Sequence, residues 1–186
     1  MQEIRIHGRG GHGVVTLGEL LAKSAIKNGR EAQTLPHFGV ERRGAPVKAA
    51  VRIDDTPVKL RSQSYKPNIL VIMSKNLLEI GLADGIAENA IILVNTEKPL
   101  AAKVSQWIVN ATDIAIRNDL IIRGEPFVNV PMLGALCRVL GIPFELLEET
   151  LKEQWSGSKL IPNIAAAREA YDTVCEVDQQ GGAQDG

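Results

Sequence analysis

Four glycines near the start of the chain form the pattern best suited to bind a ligand. They lie in HGRGGHG, residues 7–13, where three of them match the G-x-G-x-x-G spacing and the fourth removes one more side chain. A strand-like alternation precedes this segment and apolar residues at helical spacing follow it, which is the context that the motif requires. Backbone N–H groups and the positive end of the helix dipole favour phosphate or pyrophosphate there. The predicted binding residues are Gly8, Gly10, Gly11, His12 and Gly13.

The alternative is a tight strand-to-helix connection whose glycines only permit close packing. In NAD-binding folds an acidic residue about 20 positions after the glycines, at the tip of the second strand, holds the ribose hydroxyls. Here the second strand is predicted over residues 31–35, and the positions at its tip hold Gln33, Thr34, Leu35 and Pro36. NAD is therefore disfavoured, whereas an anion at the glycines remains possible.

A second unusual stretch is PHFGVERRGAP, residues 36–46, which contains two glycines, two prolines and two adjacent arginines without helical or strand periodicity. Loops of this length in compact domains are usually functional or disordered. Arg42 and Arg43 could donate fork-shaped hydrogen bonds to a phosphate or to a carboxylate of a neighbouring chain. The alternative is a solvated basic pair.

The three histidines, His7, His12 and His37, could gather at one edge of the sheet. A zinc site is one interpretation, but no helical spacing fixes these side chains relative to one another. Hydrogen bonding is therefore favoured over metal ligation, and no metal site is predicted.

Composition limits the remaining possibilities. The 186 residues are 45% hydrophobic with a net charge of −1, which fits a single domain over residues 1–177 followed by a disordered tail, 178–186. This charge argues against a general nucleic-acid binder, and no apolar run is long enough to predict a membrane span. Cys137 and Cys175 lie apart in helical patterns, so no cluster of thiolates is predicted. An immediate first strand leaves no room for a signal peptide, which favours a cytoplasmic protein.

The periodicity predicts an α/β fold with a Rossmann-like, mostly parallel central sheet, an antiparallel hairpin and a helical C-terminal third. The hairpin is expected from residues 47–53 returning through 58–61, and buried strands from 69–73 and 91–95. A short helix is expected over 98–107 and a strand from 108. Ser74 and Asn129 are predicted helix caps, and the last helix is expected over 164–177.

Five motifs in one order carry a family resemblance: HGRGGHGVVT, FGVERRGAPV, LVNT, ATDIA and VPMLGAL. Together they resemble the gamma subunit of the pyruvate and related 2-oxoacid:ferredoxin oxidoreductases, over about Ile4 to Trp155. The family's glycine turn reads GGQG, whereas this chain has His12 in place of the glutamine.

The resemblance implies an enzyme, EC 1.2.7.- with 1.2.7.1 expected, that oxidatively decarboxylates a 2-oxoacid, here pyruvate, to acetyl-CoA and CO2 and reduces ferredoxin. It implies alpha, beta and delta-type partner subunits that hold thiamine diphosphate, magnesium and the iron-sulfur clusters. This chain is then expected to lack the catalytic centre and to contribute to complex assembly. It is also expected to bind coenzyme A through the glycine turn and through Arg42 and Arg43.

Three alternatives stay open. The first is a subunit of a related 2-oxoglutarate, branched-chain 2-oxoacid or indolepyruvate oxidoreductase. The second is a free-standing Rossmann-type protein that binds NAD or flavin. The third is a structural subunit whose glycine turn is a vestige.

Overall fold

The computed structural model describes residues 1–36, 44–59 and 66–177, and it has the predicted α/β architecture. The strands within these residues are β1 (Gln2–Arg9), β2 (Glu31–Pro36), β3 (Pro46–Asp54), β4 (Ile69–Ile72), β5 (Ile91–Asn95), β6 (Ser105–Val109), β7 (Ile121–Ile122), β8 (Glu125–Pro126) and β9 (Cys175–Val177). The helices are α1 (Val14–Lys27), α2 (Leu78–Ala83), α3 (Ala111–Arg117), α4 (Asn129–Val139), α5 (Phe144–Gln154) and α6 (Leu160–Thr173), with 3₁₀ turns at Lys75–Leu77 and Gly157–Lys159.

Seven strands form the central sheet in the order β2-β3-β1-β4-β5-β6-β9. The four middle strands, β1, β4, β5 and β6, are parallel, whereas β2, β3 and β9 add antiparallel pairs at the two sides. All four residues of β4 are buried, as expected for an apolar strand covered on both faces. The carboxyl ends of the parallel strands therefore meet at one edge, which is where open α/β sheets bind ligands.

The two faces of the sheet are covered unequally. On one face, α1 and the C-terminal helices bury a large core that includes Leu17, Leu21, Val71 and Leu133. On the other face a smaller cluster around Leu70 packs under α2 and the segment 98–104. The thinner layer is therefore formed by short elements.

A buried polar network holds this thin layer to β1. Arg5 is only 4% exposed, and its guanidinium donates to the carbonyls of Gly81 (2.8 Å), Asp84 (3.3 Å) and Gly85 (2.7 Å) at the end of α2. Its Nε also donates to His7 Nε2 at 3.1 Å. Burial, and then the neighbouring Arg5, lower the pKa of His7 to about 4, so the ring is neutral at neutral pH and its Nε2 can accept this bond. The 3.9 Å contact between His7 and the Asp84 carboxylate is therefore not an ion pair.

The antiparallel part of the sheet differs from the predicted hairpin. β3 pairs with β2 on one side and with β1 on the other, so both of its edges are occupied. A strand returning directly from β3 has no free edge to join. Accordingly Val58 and Lys59 are in no strand, while Leu60 and Arg61 lie outside the described residues.

The prediction of a helix over 98–107 is wrong, because residues 105–109 form β6 between β5 and β9. The preceding segment is fixed instead by the buried Gln106 side chain, which accepts from Leu100 N (2.9 Å) and donates to Leu100 O (2.7 Å). Ser74 occupies the predicted N-cap position, before the 3₁₀ turn Lys75–Leu77, but its hydroxyl donates to Asn76 Oδ1 and makes no cap hydrogen bond. The predicted cap at Asn129 is wrong, because Asn129 is the first residue of α4 and Val128 holds the N-cap position.

The last helix ends at Thr173, four residues earlier than predicted. Residues 175–177 instead extend as β9 along the free edge of β6, which satisfies backbone groups that a helix would have left unpaired. Cys175 is therefore exposed on a strand, not packed in a core helix as predicted. Cys137 is buried in α4 as predicted, and burial raises the pKa of its thiol.

Candidate functional site

The glycine turn begins where β1 ends and is tied to the start of β3. Gly10 N donates to Ala45 O at 2.8 Å, and Gly44 N donates back to Gly10 O at 3.1 Å. Arg9 Nη1 donates to Gly44 O at 2.8 Å. Gly44 directly follows the predicted binding residues Arg42 and Arg43 in the chain, but these two arginines and His37 lie outside the described residues.

Two of the predicted binding glycines serve packing. A Cβ at Gly8 would lie 2.5 Å from Val14 Cγ2 and 2.9 Å from Met73 Sδ. A Cβ at Gly13 would lie 2.6 Å from Asn129 Nδ2 and 2.8 Å from Phe127 Cζ, and its φ of +74° also favours glycine. Close packing therefore accounts for the lack of a side chain at these two positions.

The rest of the turn lines a pocket of about 190 Å³ beneath the β7–β8 hairpin. Its walls are Gly10, Gly11, His12, Ile122, Arg123, Glu125, Pro126 and Phe127. Pockets for whole small molecules usually measure about 300–1,000 Å³. This pocket therefore has room for a phosphate-sized group or a slim chain, but not for a complete dinucleotide or coenzyme.

The turn offers only some of its N–H groups to a ligand. Gly10 N is used by Ala45 O, and His12 N donates to Arg9 O at 3.0 Å. The N–H groups of Gly11 and Gly13 have no acceptor within the described part of the chain. Together with the first turn of α1, these two groups are the backbone donors available to an anion.

The hairpin places opposite charges at the pocket. His12 Nε2 lies 3.1 Å from Glu125 Oε2, which links the glycine turn to β8. Arg123 and Gly124 connect β7 to β8 with φ values of 54° and 83°, the positive values that a two-residue type I′ turn requires at both positions. Arg123 thus holds a backbone conformation that costs about 1–2 kcal/mol for a residue with a side chain, and it supplies a cation to the pocket wall.

A buried polar side chain lies against the same turn. Asn129 is 0% exposed, and neither Nδ2 nor Oδ1 has a hydrogen-bond partner among the described residues. Leaving a buried carboxamide unsatisfied costs about 1–3 kcal/mol. Its Nδ2 lies 2.6 Å from the position that a Cβ on Gly13 would occupy, so Asn129 packs behind the turn and does not line the pocket.

The structure therefore brings together Gly10, Gly11 and His12, but not His7, which packs on the thin face of the sheet. Sequence reasoning missed Arg123 and Glu125. The pair Arg123-Gly124 between Ile122 and Glu125 is a weak hairpin signal. No local pattern indicates that this hairpin covers a turn more than a hundred positions earlier in the chain.

No helix among the described residues is both long and apolar enough to cross a bilayer. Within residues 1–36, 44–59 and 66–177, no group of three or more His, Cys, Asp or Glu side chains is placed to hold a metal ion.

Comparisons with known proteins agree with one another. Residues 3–173 match the family model described as pyruvate ferredoxin/flavodoxin oxidoreductase. The common gamma subunit of the pyruvate/ketoisovalerate oxidoreductases of Thermococcus litoralis is 41% identical over 182 residues, covering 92% of this chain and 96% of that protein.

Solved structures share the fold. The pyruvate oxidoreductase subunit PORC (EC 1.2.7.1) of Thermotoga maritima has a TM-score of 0.81 at 32% identity, covering 95% of this chain and 98% of that one. The 2-oxoglutarate:ferredoxin oxidoreductase of Magnetococcus marinus, solved with 2-oxoglutarate, coenzyme A and succinyl-CoA, has a TM-score of 0.75 at 18% identity. The match spans 96% of this chain and 32% of that longer chain.

Proposed function

Because this chain belongs to the pyruvate ferredoxin/flavodoxin oxidoreductase family, we propose that it is the gamma subunit of a 2-oxoacid:ferredoxin oxidoreductase that holds a phosphate-bearing part of coenzyme A. The enzyme as a whole converts a 2-oxoacid and coenzyme A to acyl-CoA and CO2 and reduces ferredoxin. Pyruvate is the proposed 2-oxoacid, since the Thermotoga maritima structure is named for pyruvate.

The partners are the alpha, beta and delta-type subunits, in the cytoplasm, with ferredoxin as the electron acceptor. Thiamine diphosphate, magnesium and iron-sulfur clusters are proposed to reside in those subunits and to supply decarboxylation and electron transfer. The Thermococcus litoralis relative is named as common to pyruvate and ketoisovalerate enzymes. A gamma subunit shared in this way fits a division in which partner chains select the 2-oxoacid.

The observation that carries the coenzyme A proposal is the pocket between the glycine turn and the hairpin. Gly11 and Gly13 carry N–H groups that have no acceptor among the described residues, α1 supplies the positive end of a 14-residue helix, and Arg123 supplies a positive charge. These three features favour a phosphate oxygen. The Glu125 carboxylate would oppose an anion, but it is already engaged by His12.

Size restricts which part of coenzyme A can enter. A pocket of about 190 Å³ accepts the pyrophosphate or a stretch of the pantetheine arm, whereas the adenosine must lie outside. Arg42 and Arg43, which precede Gly44 in the chain, are proposed as further phosphate ligands.

The test is Gly11→Val in the assembled enzyme. A valine side chain at this pocket-lining position would occupy space that the anion must enter. We expect the KM for coenzyme A to rise about tenfold or more, since losing one charge-assisted contact costs about 1.5–3 kcal/mol. The KM for the 2-oxoacid and decarboxylation without coenzyme A should change little.

Gly29→Val is the matched control. Gly29 also has a positive φ, 75° against 86° at Gly11, but it ends α1 and a Cβ there has nothing within 4 Å. Gly29→Val therefore introduces the same strain of a valine at positive φ, but away from the pocket. A rise in the KM for the 2-oxoacid without a rise for coenzyme A would contradict the proposal and favour a structural subunit with a vestigial turn.

A further inference from the structure

A second pocket opens at the same edge of the sheet, at the carboxyl ends of β4, β5 and β6. Its volume is about 490 Å³, within the range of about 300–1,000 Å³ that whole small molecules occupy. Its walls are Ser74, Lys75, Asn95, Thr96, Glu97, Lys98, Asn110, Thr112 and Asp113. The LVNT and ATDIA motifs supply four of these residues, and the glycine-turn site uses none of them.

The floor of this pocket is fixed by hydrogen bonds between elements. Asn95 Nδ2 donates to Met73 O and to Thr112 Oγ1, each at 3.0 Å, and Asn95 Oδ1 accepts from Thr112 N at 3.2 Å. Asn95 therefore ties together the ends of β4 and β5 and the start of α3. A pocket held in this way is formed before any ligand arrives.

Unused charges of both signs surround this floor. The ammonium groups of Lys75 and Lys98 form no ion pair with any residue that the structure describes. The Asp113 carboxylate is likewise unpaired there, while Glu97 accepts one bond from Asn110 at 3.3 Å. The fitting ligand carries an anionic group for the lysines and hydroxyl donors for the carboxylates.

We propose that this pocket binds a phosphorylated nucleoside, with its phosphate at Lys75 and Lys98 and its ribose hydroxyls donating to Asp113 or Glu97. A bare anion would meet two carboxylates, and a simple cation would meet two ammonium groups. A phosphorylated ribose matches both signs, and carboxylates at strand ends hold ribose hydroxyls in other open α/β sheets. The source is either a free nucleotide or the adenosine bisphosphate half of coenzyme A.

The experiment is a calorimetric titration of AMP into the assembled enzyme and into the full chain alone. Saturable binding is expected, and Lys98→Ala and Asp113→Asn should each weaken it about tenfold, since each removes a charge-assisted contact. Lys103→Ala is the matched control, because Lys103 is an exposed lysine in the same segment but outside the pocket. Thermal melts of each variant show that the fold is retained.

The outcomes separate clearly. If coenzyme A displaces AMP, the pocket binds the adenosine half of coenzyme A. If AMP stays bound in the presence of coenzyme A, the pocket binds a free nucleotide. Either result supports the proposal. Inorganic phosphate binding as tightly as AMP, no saturable AMP binding to the assembled enzyme, or binding unaffected by both pocket variants would overturn it. The glycine-turn proposal is judged separately, by the coenzyme A KM of Gly11→Val.

Discussion

Replacing Gly134 with alanine is expected to lower the free energy of unfolding by at least about 3 kcal/mol, at the upper end of the usual cost of overpacking. A Cβ at this position in α4 would lie 2.1 Å from the backbone oxygen of Ala167 in α6. That neighbour is main chain and cannot rotate away, so the two helices must separate. For a chain of this size the midpoint of thermal unfolding should fall by roughly 6–12 °C, as measured by circular dichroism.

Gly18→Ala is the matched control for this substitution. Gly18 also lies inside a core-facing helix, α1, but its added Cβ would meet the Val51 side chain at 3.3 Å. A side chain can shift by a few tenths of an ångström, and alanine favours a helix by about 1 kcal/mol over glycine. We expect a change within about 1 kcal/mol. Equal stability of the Gly134 and Gly18 variants would contradict the close α4–α6 packing.

The second large effect is expected for Arg5→Leu. This change removes the donors to three carbonyls at the end of α2 and to His7, and it leaves the buried Gly81 carbonyl and the buried His7 ring without that donor. At about 1–3 kcal/mol for each buried group left unsatisfied, the expected loss is roughly 2–6 kcal/mol, measured by urea denaturation. The substitution should also accelerate hydrogen exchange more in α2 than in α4, because α2 is the element that Arg5 holds to the sheet.

Arg117→Ala provides the comparison for Arg5. Arg117 pairs with Glu169, but its side chain is 57% exposed. Exposed pairs contribute about 0–1 kcal/mol, so this variant should be close to wild type. If Arg5→Leu were equally mild, Arg5 would not anchor the thin layer.

The sequence correctly predicted the elements whose pattern of apolar residues is regular along their length. The apolar run in β4 and the helical spacing after residue 13 each indicate one structure, and both predictions are confirmed. The alternation of Glu3, Ile4, Arg5 and Ile6 correctly indicated a strand. The alternation does not reveal that Arg5 is buried, because the end of α2 comes from a distant part of the chain to cover it.

Errors arose where the outcome depended on which strand edge remained free. Residues 58–61 were predicted to return along β3, whose edges are taken by β1 and β2. Cys175 was predicted in a helix, but the free edge of β6 favoured a strand there. Local periodicity carries no information about such competition.

The candidate site was predictable only for the residues that lie together in one segment of the sequence. The glycines and His12 lie in one short segment whose pattern indicates a binding turn, and Gly10, Gly11 and His12 line a pocket in the structure. Arg123 and Glu125 come from a hairpin that folds over the turn, and only the tertiary structure brings them there. The roles of Gly8 and Gly13 in packing also depend on Met73 and Asn129, which the segment itself does not reveal.

Hydrogen exchange of the assembled enzyme with and without coenzyme A is the most direct test of the proposed role of this chain. The N–H groups of Gly11 and Gly13, which have no acceptor among the described residues, should exchange more slowly when coenzyme A is bound. Residues 121–125 of the hairpin should be protected with them. Unchanged exchange at Gly11, Gly13 and the hairpin, under saturating coenzyme A that protects sites in the partner subunits, would contradict the account.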